Sequence, residues 1–108
     1  MNEKKHNGWT NYETWAVALW INNEQGSQEY WRDQAKETMH VALTRKLETW
    51  ELKFATKDIA STDLEERLKS EHEENCPKVE GVYSDLLNAS LSEVNWHEIA
   101  KSILEDIK

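Results

Sequence analysis

Among the side chains able to carry acid–base, metal or nucleophilic chemistry, the most informative are four histidines and one cysteine, which are scattered along 108 residues. His72 has no second histidine three or four residues away, so the helical face that a zinc site needs is missing. His97 would act as a proton shuttle if Asp85 or Glu13 lay near it, although a histidine at a helix end is more often structural. Cys76 lacks the glycine elbow that exposes a nucleophile. These residues indicate no catalytic site, and we expect no metal and no cofactor.

Binding chemistry is better represented, in the aromatic stretch that begins at Tyr12. Glu13 and Thr14 lie between aromatic residues, where the pair would point into an aromatic pocket and grip a base or a cation. The alternative is that Glu13 caps a helix and Thr14 faces solvent. The candidate binding residues are Tyr12, Glu13, Trp15, Trp20 and Trp31.

Trp9 is a further aromatic candidate, just ahead of this stretch. Its indole could stand exposed as an anchor for a partner protein. It could instead pack back against the first helix as a hydrophobic staple, from the residue before a Thr10 cap. The position of Trp9 next to that cap favours the staple.

A short helix over residues 12–21 must position these candidates, and its apolar side chains point in every direction. At 100° per residue, Tyr12, Trp15 and Leu19 fall within about 60° of one another, whereas Trp20 lies about 140° from Trp15. A surface helix has one apolar stripe, so a helix that is apolar all round must be covered on more than one side. Either the rest of the chain or a second subunit would provide that cover.

Capping residues predict where the helices begin. A capping box formed by Thr10 and Glu13 opens the first helix, and Ser27 caps the second. Apolar residues then recur every three or four positions from Trp31 to Phe54. This period predicts one long helix, or two helices joined by a bend.

The second half of the chain follows the same rules. A capping box formed by Thr62 and Glu65 starts a helix that Pro77 ends, and Asn95 caps the last helix. A shorter apolar helix lies between them, after Gly81. Strand alternation is absent, so the predicted fold class is all-α, a compact bundle of four to five helices.

The length fits a single helical domain over residues 1–108, in which residues 1–9 are expected to form a flexible N-terminal arm. Only 38% of the residues are hydrophobic, so six tryptophans must supply much of the buried surface. A Trp-rich core is therefore expected from Trp15, Trp20, Trp31, Trp50 and Trp96.

The net charge of −8 is concentrated in the second half, where residues 61–108 hold 5 basic and 12 acidic side chains. Direct binding to nucleic acid is disfavoured, because it needs lysine and arginine against phosphates. An acidic face could meet a basic partner or imitate nucleic acid, or it could simply keep the protein soluble. The candidate acidic face comprises Glu65, Glu66, Glu71, Glu73 and Glu74.

The expected compartment is the cytoplasm. A single cysteine excludes an internal disulfide and suits a reducing environment. The charged opening residues are not followed by the apolar segment of a signal peptide. The longest apolar run has seven residues, from Trp15 to Ile21, which is too short for a membrane span.

Two blocks of the sequence carry a family resemblance. Residues 11–27, NYETWAVALWINNEQGS, resemble the opening of a family of small, functionally uncharacterised proteins from bacteria, phages, plasmids and some archaea. Residues 81–100, which contain LSEVNWHEIA, are similar to that family's ending. The resemblance implies no activity and no catalytic residues. Its association with mobile elements favours an accessory or host-takeover role.

Three functions remain open from the sequence. The preferred hypothesis is a small helical protein that binds another protein, with a homodimer as one possibility, in the service of a mobile element or its host. The second is an acidic nucleic-acid mimic that inhibits a defence or DNA-processing enzyme. The third is a small enzyme or ligand-binding domain whose pocket is lined by tryptophans and assembled from distant residues.

Overall fold

The computed structural model describes residues 6–49 and 56–107, and in these residues it is helical with no named strand. This architecture confirms the all-α prediction. None of the helices in this part of the chain is long and apolar enough to cross a membrane. The elements are α1 (Tyr12–Asn23), α2 (Gln25–Thr49), α3 (Thr56–Glu74), α4 (Val82–Ser92) and α5 (Trp96–Asp106).

The core lies where α2, α3 and α5 meet, and α1 packs across α2 and α5. α2 and α3 are antiparallel, because Tyr30 near the start of α2 bonds to Glu71 near the end of α3. One turn further along, Arg67 donates to Gln34 at 2.9 Å. Small alanine side chains on both helices allow their axes to approach closely. The most deeply buried apolar residues include Ala35, Ala42, Ala60, Leu64, Leu68, Ile99 and Ala100.

The tryptophans divide between the core and the surface. Trp31 and Trp96 are buried, as predicted, and Trp15 is half-buried. The prediction for Trp20 is wrong, because its side chain is 73% exposed. Alanine, leucine and isoleucine side chains fill the space between the helices, so Trp20 can remain outside without leaving a cavity. Trp50 lies outside the described residues.

Three predicted helix starts are wrong. α1 is capped by Asn11 instead of Thr10, because the Asn11 side chain accepts from the Thr14 N–H at 2.9 Å. α2 begins at Gln25, which places Ser27 inside its first turn. α3 begins well before Thr62, whose hydroxyl donates to a backbone carbonyl four residues earlier. A hydroxyl can make either of these bonds, so its position in the sequence does not distinguish a cap from a helix interior.

Other boundaries agree with the prediction. The Asn95 side chain accepts from the Glu98 N–H at 3.0 Å and caps α5. α3 ends at Glu74, three residues before Pro77. Gly81 precedes α4 with a positive φ of 70°, a conformation that glycine adopts without steric cost. The predicted continuation of the second helix to Phe54 falls outside the described residues.

Candidate protein-binding surface

One side of α1 is packed against the rest of the protein. Its buried residues are Thr14, Ala18 and Ile21, which recur at intervals of four and three and therefore share one helical face. This face packs on α2 and α5. The chain thus covers α1 on one side.

The opposite side of α1 remains open, although it is apolar. Tyr12 is 58% exposed and Trp20 is 73% exposed, while Trp15 and Leu19 are half-buried. These four residues, which we term the α1 aromatic face, lie within about 80° on either side of Tyr12 around the helix axis. The only charged residue of α1 is Glu13, which is half-buried. The expectation that the chain itself might cover this helix on all sides is therefore wrong.

A tight turn ahead of α1 adds a fourth ring, that of His6, to this face. Asn7 and Gly8 have positive φ angles of 45° and 90°, and the two residues that flank them, His6 and Trp9, pair through both backbone hydrogen bonds. Asn-Gly is the preferred pair for such a two-residue turn. The turn places the His6 ring 5.2 Å from Tyr12 and 4.7 Å from Trp15, measured between centroids.

Trp9, on the other strand of this turn, packs partly buried against the core. This location agrees with a packing role for Trp9. Trp20, which is far more exposed, is the better candidate for an anchor to a partner. A hydrophobic staple uses the residue directly before the N-cap. Because Asn11 and not Thr10 caps α1, Trp9 lies two residues before the cap.

A hydrogen-bonded cluster around the buried Thr14 fixes the orientation of the aromatic face. The Thr14 hydroxyl donates to the Asn11 side-chain oxygen at 2.6 Å and accepts from the Asn95 N–H at 2.8 Å. The Asn11 amide donates to the Glu93 carbonyl at 2.6 Å. The first turn of α1 is therefore bonded directly to the connection between α4 and α5, which holds the exposed rings at a fixed angle.

Both roles predicted for Thr14, in an open aromatic pocket or facing solvent, are wrong because its side chain is fully buried. Its spacing from Ala18 and Ile21 was the signal that places it on the inner face of the helix.

A model of a protein family of unknown function, DUF7249, matches residues 2–107 of the sequence. The chain belongs to that family. The match agrees with the resemblance to an uncharacterised family. Neither the curated proteins nor the solved structures include a match to this chain.

Trp31 of this DUF7249 member does not join the α1 aromatic face. Its buried ring stacks on His72 of α3, with centroids 5.9 Å apart and planes at 17°. The His72 ring also contacts Trp96 of α5 at 5.1 Å, and its Nδ1 lies 2.7 Å from the Leu68 carbonyl. Trp31 and His72 therefore join α2, α3 and α5 in a structural stack.

The predicted acidic residues of α3 diverge around that helix. Glu65 pairs with His97 of α5 at 3.0 Å, whereas Glu71 bonds to Tyr30 of α2. Glu66, Glu73 and Glu74 are exposed. The structure thus brings the five carboxylates to several sides of α3, and two of them serve contacts between helices.

The contact between Tyr30 and Glu71 raises the pKa of the Tyr30 hydroxyl. The hydrogen bond to the Glu71 carboxylate raises the pKa of the Tyr30 hydroxyl, and burial raises it further, because ionisation would break the bond and bring two negative charges together. The folded pKa then lies above the unfolded pKa. The resulting stabilisation is complete at neutral pH and is lost as pH rises through the folded pKa of Tyr30.

We expect Tyr30→Phe to reduce the loss of stability in alkali. Urea unfolding at neutral pH and at about pH 11 should show a larger decrease for wild type than for Tyr30→Phe, by no more than about 1 kcal/mol because the pair is partly exposed. Tyr83→Phe, which changes an exposed phenol on α4, is the matched control. Equal decreases in wild type and Tyr30→Phe would contradict this role.

The candidate chemical residues form no reactive cluster. The carboxylate beside His97 is that of Glu65. Both side chains are more than one-third exposed, so water reaches the pair. The Cys76 sulfur lies 3.6 Å from the Pro77 carbonyl. Among the side chains that the structure describes, those of residues 6–45 and 56–107, no group of three histidine, cysteine or acidic residues could hold a metal ion.

Proposed function

We propose that this protein binds another protein through the α1 aromatic face, and that it acts in the cytoplasm as an accessory factor of a mobile element or its host. The observation that carries the proposal is the 73% exposure of Trp20, on a helix whose single charged residue is Glu13. The phage and plasmid association belongs to the family that the sequence resembles, and it suggests the setting of this activity.

Tryptophan and tyrosine are the residues most often found to dominate binding energy at interfaces. Covering the exposed part of the Trp20 indole would remove roughly 180 Å² from water, or about 4 kcal/mol of gross transfer free energy before entropy is subtracted. Tyr12 and Trp15 extend the same surface, with centroids 5.5 Å apart. The face therefore has the composition of an interface centre.

The hydrogen bonds of Asn11 and Thr14 hold the aromatic face in place before it binds. A rigid anchor loses less conformational entropy when it binds than a mobile one. Because the first turn of α1 is bonded to the connection before α5, Tyr12 and Trp15 are held in place before a partner arrives. Trp20 lies two turns further along the same rigid helix.

The net charge of the chain indicates the kind of partner. An interface centre that is almost uncharged, carried by a protein of net charge −8, is complementary to an apolar groove with a basic rim. Long-range attraction would accelerate association, and the aromatic side chains would supply affinity. We therefore expect the association rate to fall as salt concentration rises, with a smaller change in the dissociation rate.

The test uses a photo-crosslinking amino acid at position 20 in the native host, with the same amino acid at exposed position 83 as the control. The protein captured only from position 20 is then purified, and its affinity is measured for wild type, Trp20→Ala and Tyr83→Ala. Trp20→Ala should weaken binding by about 30-fold or more, the effect of a hot-spot residue, while Tyr83→Ala should leave it unchanged. An unchanged affinity for Trp20→Ala would refute the proposal, as would capture of a second copy of this chain alone.

The two other functions receive less support from the geometry. A nucleic-acid mimic needs carboxylates along one face, whereas Glu65 and Glu71 contact helices on different sides of α3. A pocket lined by Trp20 is not formed, since that indole is open to solvent.

A further inference from the structure

α4 is attached to the protein differently from the other helices. None of its residues is buried, and among the described residues it forms no extensive contact with another helix. Leu91 packs against the core, and Leu87 and Leu91 line one open groove with Trp31 and His72 and a second with Trp96. The inner side of α4 is thus held loosely, and an isolated helix of 11 residues is marginal in water.

The outer side of α4 carries bulky apolar side chains in its N-terminal half and small side chains in its C-terminal half. Val82, Tyr83 and Leu86 are 61%, 69% and 60% exposed. Ala89 and Ser90 continue the same face toward the C-terminal end and are also exposed. Bulky residues therefore occupy the first half of this face and small residues the second half.

We propose that this outer face of α4 binds a second copy of the chain, with the two α4 helices antiparallel and Leu86 against Leu86 on the twofold axis. In this register, Tyr83 of one copy lies over Ala89 of the other, and Val82 lies over Ser90. Each bulky half then fills the space left by the small half of its partner, which is the self-complementarity that a twofold contact requires. A parallel arrangement would instead oppose Tyr83 to Tyr83 and leave the small halves apart.

The charges of α4 favour this occupant. Two copies with a net charge of −8 each repel one another, so they can meet only where the surface carries little charge. α4 contains a single charged residue, Asp85. In the antiparallel register, Glu93 of one copy comes opposite the segment that holds Lys78 and Glu80 of the other. One basic and one acidic side chain then face each Glu93, so the charges at the two ends balance and do not oppose the contact.

The area of the face predicts a weak dimer. An exposed helix face of this length contributes on the order of 400 Å² per copy, about half of the area that each partner contributes to a stable complex. Association should therefore depend on concentration in the micromolar to millimolar range. The dimer would carry two α1 aromatic faces, so the inference is independent of which protein those faces bind.

Disulfide crosslinking tests the register, in a Cys76→Ser background that removes the native thiol. Leu86→Cys should crosslink to itself, because the two positions meet on the axis. Tyr83→Cys should not crosslink to itself, since the antiparallel register separates the two positions by about 9 Å along the helix axis. A mixture of Tyr83→Cys and Ala89→Cys should form the mixed dimer. Self-crosslinking of Tyr83→Cys without the mixed product would overturn the antiparallel register.

Sedimentation equilibrium tests the association itself. Wild type should dimerise with rising concentration, and Leu86→Glu, which places two carboxylates on the axis, should weaken the dimer by about tenfold or more. Trp20→Ala is the matched control, because it truncates the α1 face and should leave the dimer intact. Circular dichroism establishes that Leu86→Glu stays folded, as expected for an exposed position. A wild type that remains monomeric up to about 1 mM, or a dimer lost in Trp20→Ala instead, would overturn the proposal.

Discussion

Trp96→Ala should destabilise the protein by about 3–5 kcal/mol, whereas Trp20→Ala should change its stability by no more than about 0.5 kcal/mol. The substitution is chemically the same at both positions. Trp96 is 6% exposed and Trp20 is 73% exposed, so only the first leaves a cavity when it is truncated. Trp96 also begins α5 and contacts His72 of α3, so the cavity would open where these two helices meet.

Urea unfolding of both variants, monitored by circular dichroism at low protein concentration, measures the difference. A loss of about 4 kcal/mol is a large part of the stability of a small domain, so Trp96→Ala should be partly unfolded near physiological temperature. Equal losses for the two variants would show that Trp20 is packed in solution, which would contradict the open α1 aromatic face.

Thr14→Val should destabilise the protein by about 2–3 kcal/mol although valine has nearly the same shape as threonine. The substitution removes the hydroxyl that accepts from the Asn95 N–H and donates to Asn11. Because Thr14 is fully buried, the valine variant would set an apolar methyl group against the Asn95 N–H in place of the hydroxyl that accepts from it. The Thr10 N–H bond to the Glu98 carboxylate and the Asn11 amide bond to the Glu93 carbonyl would remain, so the variant weakens the attachment of α1 to α5 without removing it.

Thr14→Ser is the matched control, since it keeps the hydroxyl and removes one methyl group, at an expected loss of about 1 kcal/mol. Hydrogen exchange should show faster exchange at the first turns of α1 and α5 in Thr14→Val than in Thr14→Ser. If the valine variant were as stable as the serine variant, packing would account for Thr14 and the proposed polar cluster would not stabilise the fold.

Much of the fold could be predicted because helix formation depends on local patterns. The Asn95 cap and the apolar face of α5 follow from residues within one or two turns of each other. The starts of α1 and α3 were mispredicted because threonine at Thr10 and Thr62 fits a capping box. Asn11 caps α1 instead, and the Thr62 hydroxyl bonds within the helix. Hydroxyl groups bond equally well in either position, so local sequence could not decide between them.

The candidate site was predicted in composition but not in arrangement. Tyr12, Trp15 and Trp20 are candidates from the sequence, and the structure leaves all three at least partly exposed on the open side of α1, with the rings of Tyr12 and Trp15 in contact. Trp31 is a candidate for the same reason but lies in the core, because it is on the face of α2 that packs on α3. The inward direction of Thr14 was misread, although its spacing from the buried residues of α1 contained the information.

The sequence by itself determined that this chain forms helices and that Asn95 caps α5. It also determined that the helix at residues 12–21 has more apolar surface than one packing contact can cover. Only the tertiary structure decided which side of that helix is covered and which tryptophans are buried. The physical reason is that periodicity defines the faces of each helix separately, whereas burial depends on which faces meet. Here α2 and α5 cover the side of Thr14, Ala18 and Ile21, and Trp20 is left in contact with water.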